Sequence, residues 1–393
     1  MEELGRRTFL TGCIKGLCAC VAGSAVLRHS DLFAGTDTAI PLSVSPDKDQ
    51  KSGKTLSRFT REAMEYVAKD NGLVQCTLCP KMCIVAPDMR GICGVRENIG
   101  GTYYTLVHSR VCAAHVDPIE KKPLFHFKPG SSAFSLATPG CNFTCTFCQN
   151  WQISQAKPED IRSQYVSPAD VVSAAKGERC QSIAYTYTEP TIFYEMMYET
   201  AKIGNEAGID SVSISNGYIA QPALEKLLDH LKAIKIDLKA FTDSFYRTYC
   251  AGELKPVLDA IKTIRAREKW LEIVVLIIPT LNDNPKEIDE MARWIAGEIG
   301  PDVPIHFSRF HPQYKLKNLP VTPMSTLNRC VEICKEHGLR YIYVGNAPGH
   351  PNENTYCPSC SKPVISRYGY FIRSTDLKDG NCGACGHKIA GVF

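Results

Sequence analysis

Three cysteines between residues 141 and 148 have the spacing of a metal-cluster site. They occur in Cys141-Asn142-Phe143-Thr144-Cys145-Thr146-Phe147-Cys148, directly after a strand-like run. Three thiolates this close together can hold three corners of an iron–sulfur cube, although clusters of this kind ordinarily take four cysteine ligands. Without a local fourth cysteine, one iron would stay open for a substrate or cofactor. The alternative is a group of three structural or zinc-binding thiols.

Two further cysteine sets, each of four residues, flank this triplet. The C-terminal set, Cys357, Cys360, Cys382 and Cys385, has the paired C-x₂-C spacing of a zinc ribbon. Zinc is the favoured metal there, although a single rubredoxin-like iron would use the same ligands. The N-terminal set, Cys76, Cys79, Cys83 and Cys93, could hold zinc or a second iron–sulfur cluster. Ligand softness alone does not decide between them, and a structural metal is weakly favoured.

Composition limits the class of protein. The chain has 393 residues, 19 cysteines and a formal charge of +4. That mild charge gives no reason to expect a nucleic-acid partner. So many metal-type thiols indicate maturation in a reducing compartment. Most of the eight cysteines outside the three sets are interpreted as buried apolar residues or incidental thiols.

The N-terminus complicates localisation. Arg6-Arg7-Thr8-Phe9-Leu10 resembles the twin-arginine export signal, and a weakly apolar run follows to Leu27. This run is too short and too polar to predict a stable transmembrane helix. An exported protein and a cytoplasmic protein with a vestigial signal both remain open, and the cofactor needs described below favour the cytoplasm.

Strand-like and helix-like runs alternate from residue 131 to about 345. Seven strands are expected: Ser131–Ala137, Ser182–Tyr187, Ser211–Ser215, Ala233–Leu238, Leu271–Ile278, Ile305–Arg309 and Tyr341–Val344. Amphipathic helices are expected between them, the first opened by a capping box from Ser167 to Asp170. This order predicts a parallel α/β sheet with its chemistry at the C-terminal strand ends.

Charged residues occur at those strand ends. Glu189, followed by Pro190, could bind an ammonium group, or could simply cap the next helix. Asp237 and Lys239 share one face of their strand, where an inward charge pair is costly unless it is partnered or liganded. Alternation along the sixth strand turns either His306, Ser308 and Phe310 or Phe307, Arg309 and His311 to the pocket. Arg309 and His311 are the substrate-contact candidates, since together they could hold a carboxylate.

The order of these motifs resembles the radical S-adenosylmethionine (SAM) enzymes. It is especially similar to the "AmmeMemoRadiSam system" subfamily, relatives of the pyruvate formate-lyase activating enzymes. The motifs that carry the resemblance are C-x₂-C-P-x₂-C from Cys76, R-G-x-C-G-V-R from Arg90, P-G-C-N-F-x-C-x-F-C-Q-N-W from Pro139, Y-T-Y-T-E-P-T from Tyr185, I-D-L-K from Ile236, I-P-x-L-N-D from Ile278 and R-F-H-P from Arg309.

The resemblance implies a cofactor set and a reaction. Cys141, Cys145 and Cys148 would bind a [4Fe–4S] cluster whose open iron takes SAM. Reductive cleavage of SAM would then give a 5′-deoxyadenosyl radical that abstracts hydrogen from a substrate. Thr188-Glu189-Pro190 replaces the family's Gly-Gly-Glu motif. The SAM-contact candidates are Phe147, Glu189, Ser213, Ser215, Asn216, Asp237, Lys239 and Asn346.

The resemblance also implies a fold and partners. The expected fold is a partial (β/α)₆-type barrel with a small cysteine-rich module at each end. Its expected segments are a signal-like stretch (1–34), a linker (35–60), the N-terminal cysteine module (61–125), the barrel (126–348) and the zinc-ribbon-like module (349–393). A low-potential donor of flavodoxin or ferredoxin type is expected, and a protein or peptide is one candidate substrate. The competing hypothesis is a non-catalytic iron–sulfur or zinc module for electron transfer or protein binding.

Overall fold

The computed structural model describes residues 56–393. The signal-like stretch 1–34 and most of the linker 35–60 therefore lie outside the described residues. The described chain opens with two small antiparallel sheets, ordered β1-β6-β5 and β2-β3-β4. Their strands are β1 (Arg61–Glu62), β2 (Tyr66–Ala68), β3 (Val74–Cys76), β4 (Ile84–Val85), β5 (Arg96–Ile99) and β6 (Thr102–Thr105).

A sheet of eight strands forms the centre of the protein. Its order is β16-β15-β14-β13-β12-β11-β9-β8, with β8 antiparallel and the other seven strands parallel. The strands of this region are β7 (Arg110–Val111), β8 (Ala113–Pro118), β9 (Ser132–Ala137), β10 (Gln164–Tyr165), β11 (Ser182–Tyr185), β12 (Asp210–Ser215), β13 (Ala233–Asp237), β14 (Trp270–Ile277), β15 (Ile305–Arg309) and β16 (Ile342–Gly345). The short strands β7 and β10 pair separately.

Helices follow the parallel strands. They are α1 (Trp151–Ser154), α2 (Pro168–Gly177), α3 (Tyr194–Glu206), α4 (Gln221–Leu228), α5 (Asp243–Phe245), α6 (Leu254–Ala266), α7 (Pro285–Trp294) and α8 (Met324–Glu336). Helices α5 and α7 continue as π-helical turns, Tyr246–Cys250 and Ile295–Ile299. None of the helices in residues 56–393 is long and apolar enough to span a bilayer.

The predicted parallel sheet is confirmed, with each of the seven expected strands present. The predicted capping box is confirmed too, because Ser167 Oγ accepts from the Asp170 amide at 3.2 Å and Asp170 accepts in return from the Ser167 amide. Strand β8 was not predicted. It is antiparallel and lies at the sheet edge, so it stands outside the alternation of strands and helices on which the prediction was based.

The two faces of the sheet are buried differently. One face packs against the helices through large apolar residues such as Ile183, Ile236 and Ile273. The other carries small residues, including Ala184 and Ala233, and is partly covered by the chain between β8 and β9. Small side chains leave space on this second face, and the space widens into a cavity towards the C-terminal strand ends.

Five strands complete the chain: β17 (Thr355–Tyr356), β18 (Pro363–Tyr368), β19 (Phe371–Thr375), β20 (Leu377–Lys378) and β21 (Asn381–Cys382). They pack on the sheet through a separate apolar cluster that includes Phe125, Tyr343 and Ile365. Buried Arg367 adds polar ties, donating to the Phe125 carbonyl at 2.8 Å and lying 3.7 Å from Glu120.

Candidate active site

A cavity of about 520 Å³ opens at the C-terminal ends of the parallel strands. The cysteine triplet borders it, together with residues that follow β11, β12, β13 and β16 and residues within β14 and β15. Of the SAM-contact candidates, six line this cavity: Phe147, Glu189, Asn216, Asp237, Lys239 and Asn346. Residues that are up to about 200 positions apart in sequence therefore share one wall.

The loop that carries the triplet, residues 139–150 and here named the cluster loop, is fixed by backbone contacts. The amides of Thr144 and Thr146 donate to the carbonyls of Cys250 and Tyr249, each at 3.0 Å. Gly140 has a φ of +102°, and a Cβ there would lie 2.5 Å from Val95 Cγ1. Glycine is therefore required immediately before Cys141.

The three thiols of the cluster loop differ in their hydrogen bonds. The amide of Phe143 approaches Cys141 Sγ at 3.4 Å, and Ser154 Oγ lies 3.0 Å from Cys148 Sγ. Donors that point at thiolates are the usual surroundings of iron–sulfur ligands. The triplet therefore fits a cluster held on one side by the protein and open to the cavity on the other.

Cys250 was missed as a functional residue by the sequence analysis. Its side chain is fully buried, and its carbonyl accepts from the Thr144 amide of the cluster loop at 3.0 Å. It stands at the end of the π-helical turn that holds the cluster loop. An isolated cysteine far along the chain carries no local signal, so only the fold brings it to the triplet.

Glu189 is held rigidly below the cavity. Its carboxylate accepts four hydrogen bonds, from Thr191 N at 3.0 Å, Thr191 Oγ1 at 2.7 Å, Ser215 Oγ at 2.7 Å and Asn216 N at 2.8 Å. Burial raises its pKa, and these hydrogen bonds oppose that shift. Within residues 56–393 no lysine, arginine or histidine forms an ion pair with it. The site thus keeps a buried acid that an incoming ammonium group could neutralise.

Asp237 lies between two lysines on the cavity wall. Lys235 and Lys239 both donate to it, the latter at 3.1 Å. Burial opposes ionisation of Asp237, but the two ammonium groups outweigh burial and lower its pKa to about 2. Two cations around one anion leave a net positive group, which can bind a carboxylate.

A second lysine group was not predicted. Lys122 is 2% exposed, lines the cavity and donates to Asp117 at 2.5 Å. Lys121 shares that carboxylate at 2.8 Å, and the Tyr187 hydroxyl donates to it at 2.6 Å. Burial lowers the pKa of Lys122 to about 8, although Asp117 opposes the shift. The run Asp117-Pro-Ile-Glu-Lys-Lys could have signalled this site, but it lies outside the predicted strands.

The sixth parallel strand corrects a prediction. His306 and Ser308 line the cavity, whereas the substrate-contact candidates Arg309 and His311 do not. Arg309 donates to the Thr322 carbonyl at 2.9 Å, and His311 is exposed. The strand period of two allowed either set to face inward, and packing selected the other one. His306 is held by Glu272 at 2.7 Å, with both side chains buried.

The two-residue alternation of a strand also corrects the prediction that both Ser213 and Ser215 of β12 contact SAM. Ser213 and Ser215 point away from the cavity and line a small void against the helices, while Ile214 and Asn216 face the cavity. Ser215 therefore does not face the cavity, but its hydroxyl donates to the Glu189 carboxylate and helps to hold that acid in place. Ser213 makes no contact with the cavity.

The C-terminal cysteine set forms a compact group. Its four Sγ atoms all lie within 4.8 Å of one another. Cys357 and Cys385 are 3.6 Å apart, and Cys360 and Cys382 are 3.7 Å apart. A Zn–S bond of about 2.3 Å puts tetrahedral sulfurs about 3.8 Å apart. These four thiols can therefore hold one metal ion.

Comparison with known proteins agrees with this geometry. The model of the radical SAM superfamily matches residues 135–295. The uncharacterized protein MJ0808 of Methanocaldococcus jannaschii is 44% identical over 331 residues, which cover 84% of this chain and 98% of that protein. The pyruvate formate-lyase-activating enzyme of Listeria monocytogenes is 22% identical over 224 residues, covering 54% of this chain and 82% of that enzyme.

A solved structure is similar as well. The radical SAM methyltransferase from Sphaerobacter thermophilus aligns over 74% of this chain and 78% of its own, with 14% identity and a TM-score of 0.45. Residues 135–295 therefore contain a radical SAM domain, and the chain is homologous to the pyruvate formate-lyase activating enzymes.

Proposed function

We propose that this protein is a radical SAM enzyme that cleaves SAM reductively and uses the resulting radical on a further substrate. The observation that carries the proposal is the meeting of the cysteine triplet with Glu189 at one cavity. A triplet of thiols leaves one corner of a cluster open, and no lysine, arginine or histidine among residues 56–393 lies within ion-pair distance of the Glu189 carboxylate. SAM has an ammonium group for the acid and chelating groups for the open iron.

Each residue has a distinct part in this proposal. Cys141, Cys145 and Cys148 would hold the [4Fe–4S] cluster. Glu189, fixed by four hydrogen bonds, would bind the SAM ammonium group. When bound, the cluster supplies the electron that breaks a carbon–sulfur bond of SAM and yields the 5′-deoxyadenosyl radical.

Other groups would orient SAM and exclude water. The positive group around Asp237 suits a carboxylate, and Phe147 offers an apolar surface beside the last cysteine. Asn346 stands where its backbone could approach the adenine, with a φ of +55° that turns the chain after β16. Preorganised charges in a closed site bind a zwitterion without further rearrangement.

The finer assignment is an activase-like enzyme of the AmmeMemoRadiSam group built on a partial (β/α)₆ barrel. A partner protein or peptide is the proposed substrate, and a flavodoxin- or ferredoxin-type protein is the proposed donor. Tyr370, from the turn between β18 and β19, lines the cavity and is 43% exposed. An exposed aromatic residue at the cavity supports a bulky substrate.

The cysteine geometry supports structural zinc at the C-terminal set.

The test is anaerobic turnover with SAM and a chemical reductant. The wild-type protein should release 5′-deoxyadenosine, and Cys145→Ala should abolish that release. Cys180→Ala, a buried cysteine outside the three sets, serves as the matched control and should retain activity. Equal SAM cleavage by Cys145→Ala would overturn the proposal.

A second variant tests the binding role of the acid. Glu189→Gln keeps the shape but removes the charge, so SAM affinity should fall at least tenfold, about 1.4 kcal/mol. Calorimetric titration of the cluster-loaded protein measures it. The competing hypothesis, a non-catalytic iron–sulfur or zinc module, predicts no SAM binding by either protein.

A further inference from the structure

The N-terminal cysteine set is brought together by the fold but has no part in the proposed reaction. Cys76 ends β3, Cys79 and Cys83 lie in the turn before β4, and Cys93 comes just before β5. The loop that carries Cys93 lies against Cys83, because a Cβ at Gly91 would be 3.8 Å from Cys83 Sγ and the Gly94 amide donates to the Gly91 carbonyl at 2.9 Å. The turn is closed by the Cys76 amide, which donates to the Cys83 carbonyl at 2.9 Å. The fold therefore brings the four cysteines into one small module.

Their spacing differs from that of the C-terminal set. Among residues 56–393, only the C-terminal set groups its sulfurs within 4.8 Å of one another. The N-terminal sulfurs are spaced more widely, as are those of Cys141, Cys145 and Cys148. A single zinc ion needs sulfurs about 3.8 Å apart, whereas a cluster inserts several iron and sulfide atoms between its ligands. The wider spacing favours a cluster over one ion.

A buried donor points to the same conclusion. Arg96 is 1% exposed, and its terminal nitrogens donate to Glu195 at 3.0 and 2.7 Å. Its Nε has no hydrogen-bond partner within the described chain. Arg96 closes the loop that carries Cys93, because its carbonyl accepts from the Gly91 amide at 2.9 Å. A buried unpaired donor beside thiolates is costly unless a sulfur accepts its hydrogen bond.

We infer that Cys76, Cys79, Cys83 and Cys93 bind a second [4Fe–4S] cluster, with Arg96 Nε donating to one of its sulfurs. Four cysteine ligands fill every iron corner, so this cluster has no open position for a substrate. It is a site for inorganic iron and sulfide, distinct from the site proposed for SAM.

The second cluster would lie against the first. The Cys93 carbonyl is 3.4 Å from where a Cβ of Gly140 would stand, and Gly140 immediately precedes Cys141. The Leu78 carbonyl also accepts from the Ala220 amide, in the turn after β12, at 2.9 Å. The N-terminal cysteine module is thus packed beside the cluster loop.

Metal analysis of the anaerobically reconstituted full chain tests the inference. The wild-type protein should hold about eight irons per chain, and Cys79→Ser should hold about four fewer. Mössbauer spectra of both proteins identify the cluster type. Cys112→Ser, a cysteine outside the three sets, is the control and should keep the wild-type iron content.

The triple variant Cys141→Ala/Cys145→Ala/Cys148→Ala separates this inference from the proposed function. It should lose SAM cleavage yet retain about four irons with a [4Fe–4S] Mössbauer spectrum. Zinc in place of that iron, or an iron content unchanged by Cys79→Ser, would overturn the inference. Neither result would bear on the first cluster, because the Cys145→Ala test stands separately.

Discussion

The N-terminal and C-terminal cysteine modules each contribute four thiols, but they differ in spacing and in what they pack against. The C-terminal sulfurs approach within 3.6 and 3.7 Å in pairs, as around one ion. The N-terminal sulfurs are wider apart and lie beside the cluster loop. The C-terminal module instead sits on an apolar cluster with Tyr341 and Tyr343 at the edge strand β16. Equal numbers of cysteines can therefore suit different metal groups, which is why we propose one zinc ion for the C-terminal set and a cluster for the N-terminal set.

Among these changes, removing the proposed zinc should cause the largest loss of stability. Cys382→Ser should release the metal and loosen β17–β21, because a structural zinc site contributes folding energy directly. Hydrogen exchange across these strands and zinc analysis measure the change. Iron content should not change, and a loss of iron would show that the two modules are not independent.

The next largest loss of stability should come from breaking a buried ion pair between the N-terminal module and helix α3. Arg96 and Glu195 form an ion pair at 2.7 Å, with side chains 1% and 2% exposed. Arg96→Met leaves the acid buried alone and should cost about 3–5 kcal/mol in urea unfolding. Arg96→Met/Glu195→Gln removes that stranded charge and should be less destabilised than the single variant. A single-variant cost below about 1 kcal/mol would contradict the coupling.

The contacts that hold the C-terminal module against the central sheet should stabilise the protein in a pH-dependent way. His126 contacts the Ala390 carbonyl at 2.6 Å and the Tyr343 hydroxyl at 2.5 Å, and burial lowers its pKa from 6.5 to about 4. The unfolded state therefore binds this proton first as the pH falls. Stability is fully present above pH 6.5 and is lost towards pH 4, by about 3 kcal/mol.

Urea unfolding at pH 7.5 and at pH 4.5 measures that loss. His126→Gln removes the titrating group and should flatten the difference between the two pH values. If the variant keeps the full pH dependence of the wild-type protein, another group is responsible, and His306, whose pKa burial also lowers, is the next to test.

The smallest effect is expected at the surface of the N-terminal module. Lys226 donates to Glu65 at 2.8 Å, but the lysine is 54% exposed. Lys226→Ala should change the free energy of unfolding by less than about 1 kcal/mol. A cost comparable to that of Arg96→Met would mean that burial is not what separates the two ion pairs.

Much of the site could be predicted because its signals are local. The C-x₃-C-x₂-C spacing predicted the triplet as a cluster site. Glu189, Asn216 and Asp237, predicted from the strand ends, line the same cavity because parallel strands end at one edge. Lys122 and Cys250 could not be found in this way. Lys122 lies in the chain after an antiparallel edge strand, and Cys250 is a single cysteine about a hundred residues from the triplet.

The sequence by itself determined the order of strands and helices, the capping box and the radical SAM domain, since period, caps and motif spacing are short-range properties. It did not determine which face of β12 or β15 points inward, because a strand period of two offers two equivalent sets. Packing against the helices decided that Ser213 points away from the cavity and that His306 points into it. Tertiary structure also decided the spacing of the two four-cysteine sets, because the distance between sulfurs depends on how distant turns are held together.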